Sequence, residues 1–376
     1  MNKAPKNPFL IVGYQGPDYF CDRSKETETI LSALENERNI TLISPRRMGK
    51  TGLVKHVFYS LQHQKTVPAC YYLDIFATQN LQEFVSLLAK TVLGTLDTLS
   101  QHVMKSVFSF FKSCRPVITV DGTTGTPSLS LDFIPEKSED TLKEVFAYLN
   151  ETSCPCYIAI DEFQQILEYP EKGVEALLRS YIQFTPNVHF IFSGSKKHLM
   201  EAIFSSAKRP FFHSTQKVSL AQIPVDEYRS FAQKHFADAG KQLPADVFTF
   251  LYEQIDGCTW YVQYLLNRLY PFPQEQLTES SVERIIRETL EEEEYTYQTY
   301  FQLMTSNQIQ LLKAIAKEGR VTEMTSGSFI KKYNMKAVSS VNTALKALIE
   351  KEFVLKQPDG YIVYDRFMER WLRLQP

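Results

Sequence analysis

A short apolar strand followed directly by a phosphate-binding loop constrains the fold of this chain more than any other feature. Residues 40–51 read Ile-Thr-Leu-Ile-Ser-Pro-Arg-Arg-Met-Gly-Lys-Thr, and they depart from the pattern G-x-x-x-x-G-K-[ST] only at Ser44, which replaces the first glycine. Successive backbone N–H groups and a helix N-terminus form an anion cradle in such a loop. We expect Lys50 to reach the terminal phosphates and the Thr51 hydroxyl to ligate Mg²⁺. The loop therefore predicts binding of ATP or GTP.

The first 220 residues predict an α/β fold, because apolar strands alternate with helices in the way that produces a parallel sheet with helices on both faces. The predicted strands are 39–43, 69–76, 156–160, 188–193 and 217–220, and the predicted helices include 51–62 and 81–111. Apolar runs at 117–120 and 128–131 flank Asp121–Gly125 and predict a β-hairpin. We interpret this hairpin as an insertion over about residues 112–136.

After residue 220 the pattern changes to amphipathic helices. Helices are predicted at 225–239, 245–255, 260–269, 280–300, 308–317, 325–333 and 338–351, with strands at 353–356 and 361–364. Three short helices and a hairpin at the end of the chain are typical of a winged helix. The predicted organisation is a P-loop ATPase core over residues 1–220, a helical lid over 221–302 and a winged-helix domain over 303–376.

A second motif places two acids at the end of an apolar strand. In Tyr157–Glu162 (YIAIDE), Asp161 is expected to hold Mg²⁺ through water and Glu162 to orient and deprotonate the attacking water. Ser193 ends another strand and is expected beside the acids at the carboxyl edge of the sheet, where ligands bind. The alternatives are a plain helix N-cap for the acids and a satisfied hydroxyl in a glycine turn for Ser193. The predicted catalytic residues are Glu162, Asp161, Lys50 and Ser193, and the predicted magnesium ligands are Thr51 and Asp161.

Composition and charge narrow the class of protein. The chain has 44% hydrophobic and 22% charged residues and no run of 18 apolar residues, so we expect no membrane span. Six scattered cysteines and no convincing signal peptide favour a reduced, cytoplasmic protein. An H-E-x-x-H motif is absent, which argues against a metalloprotease. Residues 305–376 hold 12 Lys and Arg against 7 Asp and Glu, a balance compatible with nucleic-acid contact.

The chain resembles the archaeal-type P-loop ATPases of the AAA+/STAND group that carry a C-terminal winged helix. The segments that carry the resemblance are 20–26 (FCDRSKE), 44–51, 161–164 (DEFQ), 192–195 (FSGS), 256–260 (DGCTW) and 364–372 (YDRFMERWL). The resemblance covers nearly the whole chain and implies ATP, ADP and Mg²⁺ as ligands.

The resemblance also implies further binding residues. Phe20 and Arg23 fall where the family packs the adenine and begins its first helix, and Gly257 falls in the lid segment that contacts the nucleotide. The full set of predicted nucleotide-binding residues is Ser44, Pro45, Arg46, Arg47, Met48, Gly49, Lys50, Thr51, Gly52, Phe20, Arg23 and Gly257. Arg46 and Arg47 are expected to contact phosphate or a partner protomer, or else to be exposed loop arginines.

Three departures from the family favour slow hydrolysis. Ser44 replaces the first glycine of the loop, Thr259 replaces the proline of the lid segment, and Ser214 stands where the family often has an arginine, for which Arg209 is a possible substitute. We therefore expect a slow Mg²⁺-dependent ATPase that acts as a switch, in which lid movement is passed to the winged helix. The alternative is a nucleotide-binding regulatory or scaffold module with negligible hydrolysis.

The winged helix is expected to contact DNA or a protein partner. The candidate recognition helix over 337–350 offers Ser339, Ser340, Asn342, Thr343 and Lys346, and Lys331, Lys332 and Lys336 precede it. The sequence leaves the oligomeric state and the biological process open.

Overall fold

The computed structural model describes residues 5–93, 112–120, 127–133, 137–357 and 359–375. These residues form two compact units. One unit is Val12–Gln222, and the other combines the described residues up to Ile11 with those from Ile223 onward. No helix in the described ranges is both long and apolar enough to cross a membrane.

The first unit is an α/β structure built on a parallel sheet. Its strands are β1 (Ile40–Ile43), β2 (Ala69–Asp74), β3 (Cys114–Val120), β4 (Pro127–Phe133), β5 (Cys156–Asp161), β6 (Val188–Gly194) and β7 (Gln216–Ser219). Its helices are α1 (Ser24–Glu35), α2 (Lys50–Gln62), α3 (Leu81–Leu93), α4 (Ser138–Glu151), α5 (Val174–Ile182) and α6 (Lys197–Ser205). Five strands pair in parallel in the order β2-β5-β6-β1-β7. Strand β6 therefore lies between the strand that leads into the phosphate-binding loop and the strand that ends in the acids.

Both faces of this sheet are covered by helices, as predicted. In β5 the alternate residues Tyr157 and Ala159 pack into a core with α1 and α2, whereas Ile158 and Ile160 pack into a second core with α3, α4, α5 and α6. A strand buried on both faces reads as a continuous apolar run, which is why Tyr157–Ile160 shows no polar alternation. The sheet is thus a central layer between two cores, and the carboxyl ends of its parallel strands share one edge.

The predicted hairpin is present, since β3 and β4 pair antiparallel in a two-stranded sheet of their own. Its turn, Asp121–Gly125, lies outside the described residues. Helix α3 covers the first part of the helix predicted over 81–111, and the remainder of that prediction also lies outside them.

The second unit contains helices and one short hairpin. Its helices are α7 (Val225–Asp238), α8 (Ala245–Gln254), α9 (Thr259–Leu269), α10 (Glu279–Gln302), α11 (Ser306–Glu318), α12 (Gly327–Lys332), α13 (Val338–Glu350) and α14 (Arg366–Leu374). Strands β8 (Val354–Gln357) and β9 (Gly360–Val363) pair antiparallel, and Val321 adds an isolated bridge to Tyr361. The helices α11 to α13 with this hairpin form the predicted winged helix. Helix α14 was not among the predicted elements.

Local capping explains where two helices of this unit begin. Thr305 and Gln308 form a reciprocal capping box before α11, with the Thr305 N–H donating to Gln308 Oε1 at 3.1 Å. Asp365 accepts from the backbone N–H groups of Phe367 and Met368 at 2.9 and 3.0 Å, so its carboxylate satisfies two otherwise unpaired donors of α14.

Candidate functional site

The loop between β1 and α2 has the backbone geometry of an anion cradle. Gly49, immediately before α2, has φ 92°, a left-handed conformation in which a side chain is disfavoured, and Arg47 has φ 67°. Ser44 has no positive φ, and its side chain is buried. The missing first glycine is therefore not required by the backbone at Ser44.

Lys50 begins α2 and lies in the interior of this loop. Its side chain is buried, and Nζ donates to the carbonyl oxygens of Ser44 and Pro45 at 2.9 and 3.1 Å. Burial lowers the pKa of Lys50, while the negative charges of Glu162 and Asp161 oppose that shift. A buried ammonium that donates to neutral carbonyls is a favourable partner for an anion, because an opposite charge offsets its desolvation.

Asp161 is the centre of a hydroxyl network at the end of β5. Thr51 Oγ1 and Tyr72 OH donate to Oδ2 at 2.9 and 2.6 Å, and Ser193 Oγ donates to Oδ1. The N–H of Glu162 also donates to Oδ1 at 3.0 Å. Burial acts to raise the pKa of Asp161, but the three hydroxyl bonds, together with the positive charge of Lys50, hold the pKa below its usual value. This carboxylate is therefore kept ionised inside the protein.

The donor set at Thr51 and Asp161 fits Mg²⁺. The two side-chain oxygens, Thr51 Oγ1 and Asp161 Oδ2, lie 2.9 Å apart, and hard divalent cations prefer oxygen ligands. Among the described residues no group of three or more His, Cys, Asp or Glu side chains could hold a metal. Mg²⁺ is commonly held by one or two protein oxygens together with substrate phosphates and water, so this small donor set suits it.

Glu162 is held in an uncommon conformation beside Asp161. Its φ is 54°, in the left-handed region that non-glycine residues rarely adopt. Its Oε2 atom accepts hydrogen bonds from Ser195 Oγ at 2.7 Å and from Gln164 Nε2. The strained backbone and the two donors fix the direction of this carboxylate.

Phe20 and Arg23, which the family resemblance adds to the predicted binding residues, make different contacts. The Phe20 ring stacks on His56 with centroids 4.4 Å apart and lies against Gly52 at the start of α2. Arg23 is buried, and its guanidinium donates to the carbonyls of Met48 and Ala221 at 3.1 and 2.7 Å. Arg23 thus stabilises the conformation of the loop through its hydrogen bond to the Met48 carbonyl.

Gly257 lies in the second unit, in the turn between α8 and α9. Its φ is 58°, and a side chain there would collide with the Tyr252 ring. Thr259 occupies the first residue of α9, the position at which proline is favoured in helices. The role of Gly257 in nucleotide binding remains a prediction.

Arg209, the possible substitute for the arginine that the family often has at the position of Ser214, is paired with a residue of the first unit. Arg209 Nη1 donates to Glu175 Oε1, and Ser214 Oγ donates to the carbonyl of Phe211 at 2.7 Å. Both side chains therefore have partners within their own unit.

Sequence reasoning missed three side chains at the site, Tyr72, Gln164 and Ser195. Tyr72 lies on β2, and β2 pairs with β5 so that Asp74 is level with Asp161. The order of the strands was the missing information, because a tyrosine on an apolar strand carries no signal by itself. Gln164 and Ser195 stand close to predicted residues and were visible in the motifs.

Two family models match the chain. The model described as an ATPase domain predominantly from Archaea matches residues 20–265, and one described as a probable winged helix domain matches residues 295–374. No curated protein sequence matches significantly.

Several solved structures share this fold. A Walker-type ATPase of Pyrococcus abyssi is 17% identical with a TM-score of 0.68, covering 98% of this chain and 100% of its own. The ORC2 protein of Aeropyrum pernix, solved as ADPNP–ADP complexes, is 14% identical with a TM-score of 0.61, covering 98% and 96%. The ORC1 protein of the same organism, solved in complex with DNA, is 12% identical with a TM-score of 0.53, covering 98% and 96%.

Proposed function

Because this chain belongs to the family of ATPase domains found predominantly in Archaea, we propose that it is a slow Mg²⁺-dependent ATPase that acts as a nucleotide-controlled switch. The observation that carries the proposal is the convergence of Lys50, Thr51, Asp161 and Ser193 at one edge of the sheet. Because β6 lies between β1 and β5, the loop, the acids and the serine meet at the carboxyl ends of three adjacent strands, where ligands of parallel sheets bind.

Lys50 and the loop backbone would hold the nucleotide phosphates. The ammonium group would exchange its bonds to the Ser44 and Pro45 carbonyls for bonds to phosphate oxygens. Thr51 and Asp161 would hold Mg²⁺, which in this chemistry neutralises charge that develops on the phosphates. Ser193 fixes one oxygen of Asp161 and leaves the other toward Thr51.

Glu162 would act as the general base for the attacking water. A positioned carboxylate contributes roughly 10²–10⁴-fold to rate in such reactions. Oε2 of Glu162 is occupied by Ser195 and Gln164, and no described group donates to Oε1. Oε1 is therefore the oxygen that can accept a proton from water.

Turnover is expected to be slow because Ser214 stands where the family often has an arginine for the transferring phosphoryl group. Such an arginine contributes roughly 10³–10⁵-fold to rate. Ser214 cannot supply the charge, and Arg209 is paired with Glu175. An arginine could still come from a second copy of the chain or from another partner.

Steady-state ATP hydrolysis by the full chain tests the assignment. The Glu162→Gln variant should lose about 10²–10⁴-fold in kcat while it still binds ATP. Glu168→Gln is a matched control, since Glu168 is exposed and lies a few residues further along the same segment. If the wild type hydrolysed ATP no faster than Glu162→Gln, the chain would instead be a regulatory or scaffold module that binds nucleotide without hydrolysis.

The winged helix would pass the nucleotide state to DNA or to a protein. On α13 the side chains of Ser339, Asn342, Thr343 and Lys346 are exposed, as DNA contact requires. Ser340 is used differently, because its hydroxyl accepts from the Ala337 N–H at 3.2 Å and so caps the helix.

The lysines before α13 differ in their availability for phosphate contacts. Lys331 and Lys336 are exposed, whereas Lys332 Nζ is bonded to Glu318 at 2.6 Å. The similarly folded ORC1 protein, solved with DNA, supports duplex DNA as the first partner to test.

Measuring how tightly the full chain binds duplex DNA at several salt concentrations distinguishes DNA from a protein as the partner of the winged helix. If the winged helix contacts DNA, replacing Lys331 and Lys336 by Glu should weaken binding and lower the salt slope by about 1 per lost phosphate contact. Lys208→Glu, at an exposed site in the first unit, is the control. Absence of duplex binding even at low salt would leave a protein as the partner.

A further inference from the structure

We propose that Ser195 is a positioning residue for Glu162 and that Arg46 of the phosphate-binding loop orients its hydroxyl. The proposal rests on the ATPase mechanism proposed above and extends it to the effect of Ser195 on turnover and to Arg46. Ser195 follows β6 directly, so the strand that lies between the loop and the acids places it between Arg46 and Glu162.

The first step of the argument concerns the Glu162 carboxylate. Its Oε2 atom accepts from both Ser195 Oγ, at 2.7 Å, and Gln164 Nε2. Two donors on the same oxygen prevent the carboxylate from rotating freely about its terminal bond. They hold Oε1 in a constant direction, and a catalytic base needs such a fixed geometry more than it needs additional charge.

The second step concerns the direction of the Ser195 proton. A serine hydroxyl donates one hydrogen bond and accepts others. Arg46 Nε donates to Ser195 Oγ at 3.3 Å, and because Arg46 can only donate, the hydroxyl proton is left for Glu162. The Arg46 guanidinium also lies over the Phe76 ring, 5.7 Å from its centroid, which steadies the arginine side chain.

The third step concerns the space around these groups. A Cβ atom on Gly194 would collide with Gln164 Oε1 and Met200 Sδ, so the chain passes Gln164 as closely as a glycine allows. Ser195 itself is buried. The turn after β6 therefore brings both donors against one carboxylate oxygen, with little room for another arrangement.

Turnover measurements on the full chain test the proposal. Ser195→Ala should lower kcat about 10-fold, as the loss of one hydrogen bond to a charged group would, with KM and ATP affinity unchanged. Ser195→Thr, which retains a hydroxyl, should recover most of the rate. Ser180→Ala is the matched control, since Ser180 is exposed on α5 and donates to the Leu177 carbonyl of its own helix.

Combination with Glu162→Gln separates this proposal from the mechanism on which it rests. If Ser195 acts through Glu162, then Ser195→Ala should cause little further loss in the Glu162→Gln background. An equal loss in both backgrounds, or a normal kcat in Ser195→Ala, would overturn the role of Ser195 alone. A normal kcat in Glu162→Gln would instead overturn the proposed mechanism.

A third variant covers the case in which Ser195→Ala does not fold. Ser195→Cys keeps the shape of the side chain with a slightly larger atom at its end, and it replaces a strong donor by a weak one. Folded protein with normal ATP affinity and reduced kcat would support the proposal, and folded protein with the wild-type kcat would contradict it.

Discussion

Removal of the Tyr72 hydroxyl tests whether Asp161 is held ionised by the hydroxyl network. The change Tyr72→Phe deletes one atom, which donates to Asp161 Oδ2 at 2.6 Å, and leaves the ring in place. A hydrogen bond to a charged group contributes roughly 1.5–3 kcal/mol. Because Asp161 keeps its bonds from Thr51, Ser193 and the Glu162 N–H, we expect a loss near the lower end, about 1.5 kcal/mol of unfolding free energy.

The pH dependence of this loss follows from the direction of the pKa shift. The pKa of Asp161 in the folded chain lies below its ordinary value of 3.8, so the carboxylate stabilises the fold above that value. This contribution disappears as the pH falls through the lowered pKa of the folded state. Tyr72 stabilises the ionised form, so the difference between Tyr72→Phe and the wild type should be complete at neutral pH and should shrink in acid.

Hydrogen exchange of the β5 backbone amides measures this free energy within the first unit. The control is Tyr71→Phe, on the same strand, because the Tyr71 hydroxyl makes no hydrogen bond to any described group. An equal loss in the two variants would refute the network, and so would a loss from Tyr72→Phe that did not vary with pH.

Three further results are expected. Because burial lowers the pKa of Lys50 and a bound phosphate would raise it again, ATP binding at alkaline pH should take up protons and should weaken as the pH rises. Calorimetry in two buffers of different ionisation enthalpy would detect the proton uptake, and identical binding heats in the two buffers would contradict it. Gly194→Ala should cost about 1–3 kcal/mol and lower turnover by displacing Gln164, so a variant with the wild-type melting temperature and kcat would count against the close packing. Arg370→Lys should destabilise the second unit by about 1–2 kcal/mol, because Arg370 Nη1 donates to Gln254 Oε1 at 2.6 Å and a lysine lacks the planar guanidinium that makes this contact. An unchanged midpoint of urea unfolding would contradict this.

The fold of the first unit could be predicted because its strands are buried on both faces and its loop has few alternative conformations. Residues 156–160 are continuously apolar for that reason, and the helix after the loop begins at Lys50, directly after Gly49. Ser44 is the one departure from the phosphate-binding loop pattern, and because its φ is not positive a residue with a side chain fits there.

The remaining features depend on which strands become neighbours, and local sequence does not encode this. Tyr72 approaches Asp161 only because β2 pairs with β5, and Ser195 approaches Glu162 only because β6 lies beside β5. Helix α14 was missed for a different reason. Its sequence, RFMERWLRL, mixes charged with apolar residues, and the helix buries some of its charged side chains. There Arg366 and Glu369 are bonded to each other at 2.7 Å inside the unit.

The chain has two tryptophans, Trp260 and Trp371, and both lie in the second unit, whereas the phosphate-binding loop lies in the first. Trp260 follows Gly257 by three residues and stacks on Tyr264 with centroids 5.3 Å apart, and Trp371 packs against Tyr297 at 5.3 Å. Indole fluorescence therefore originates in the unit that carries the winged helix. A change in emission when ATP is added would be an optical signal that the second unit responds to the nucleotide, and Trp260→Phe would show whether it arises beside Gly257.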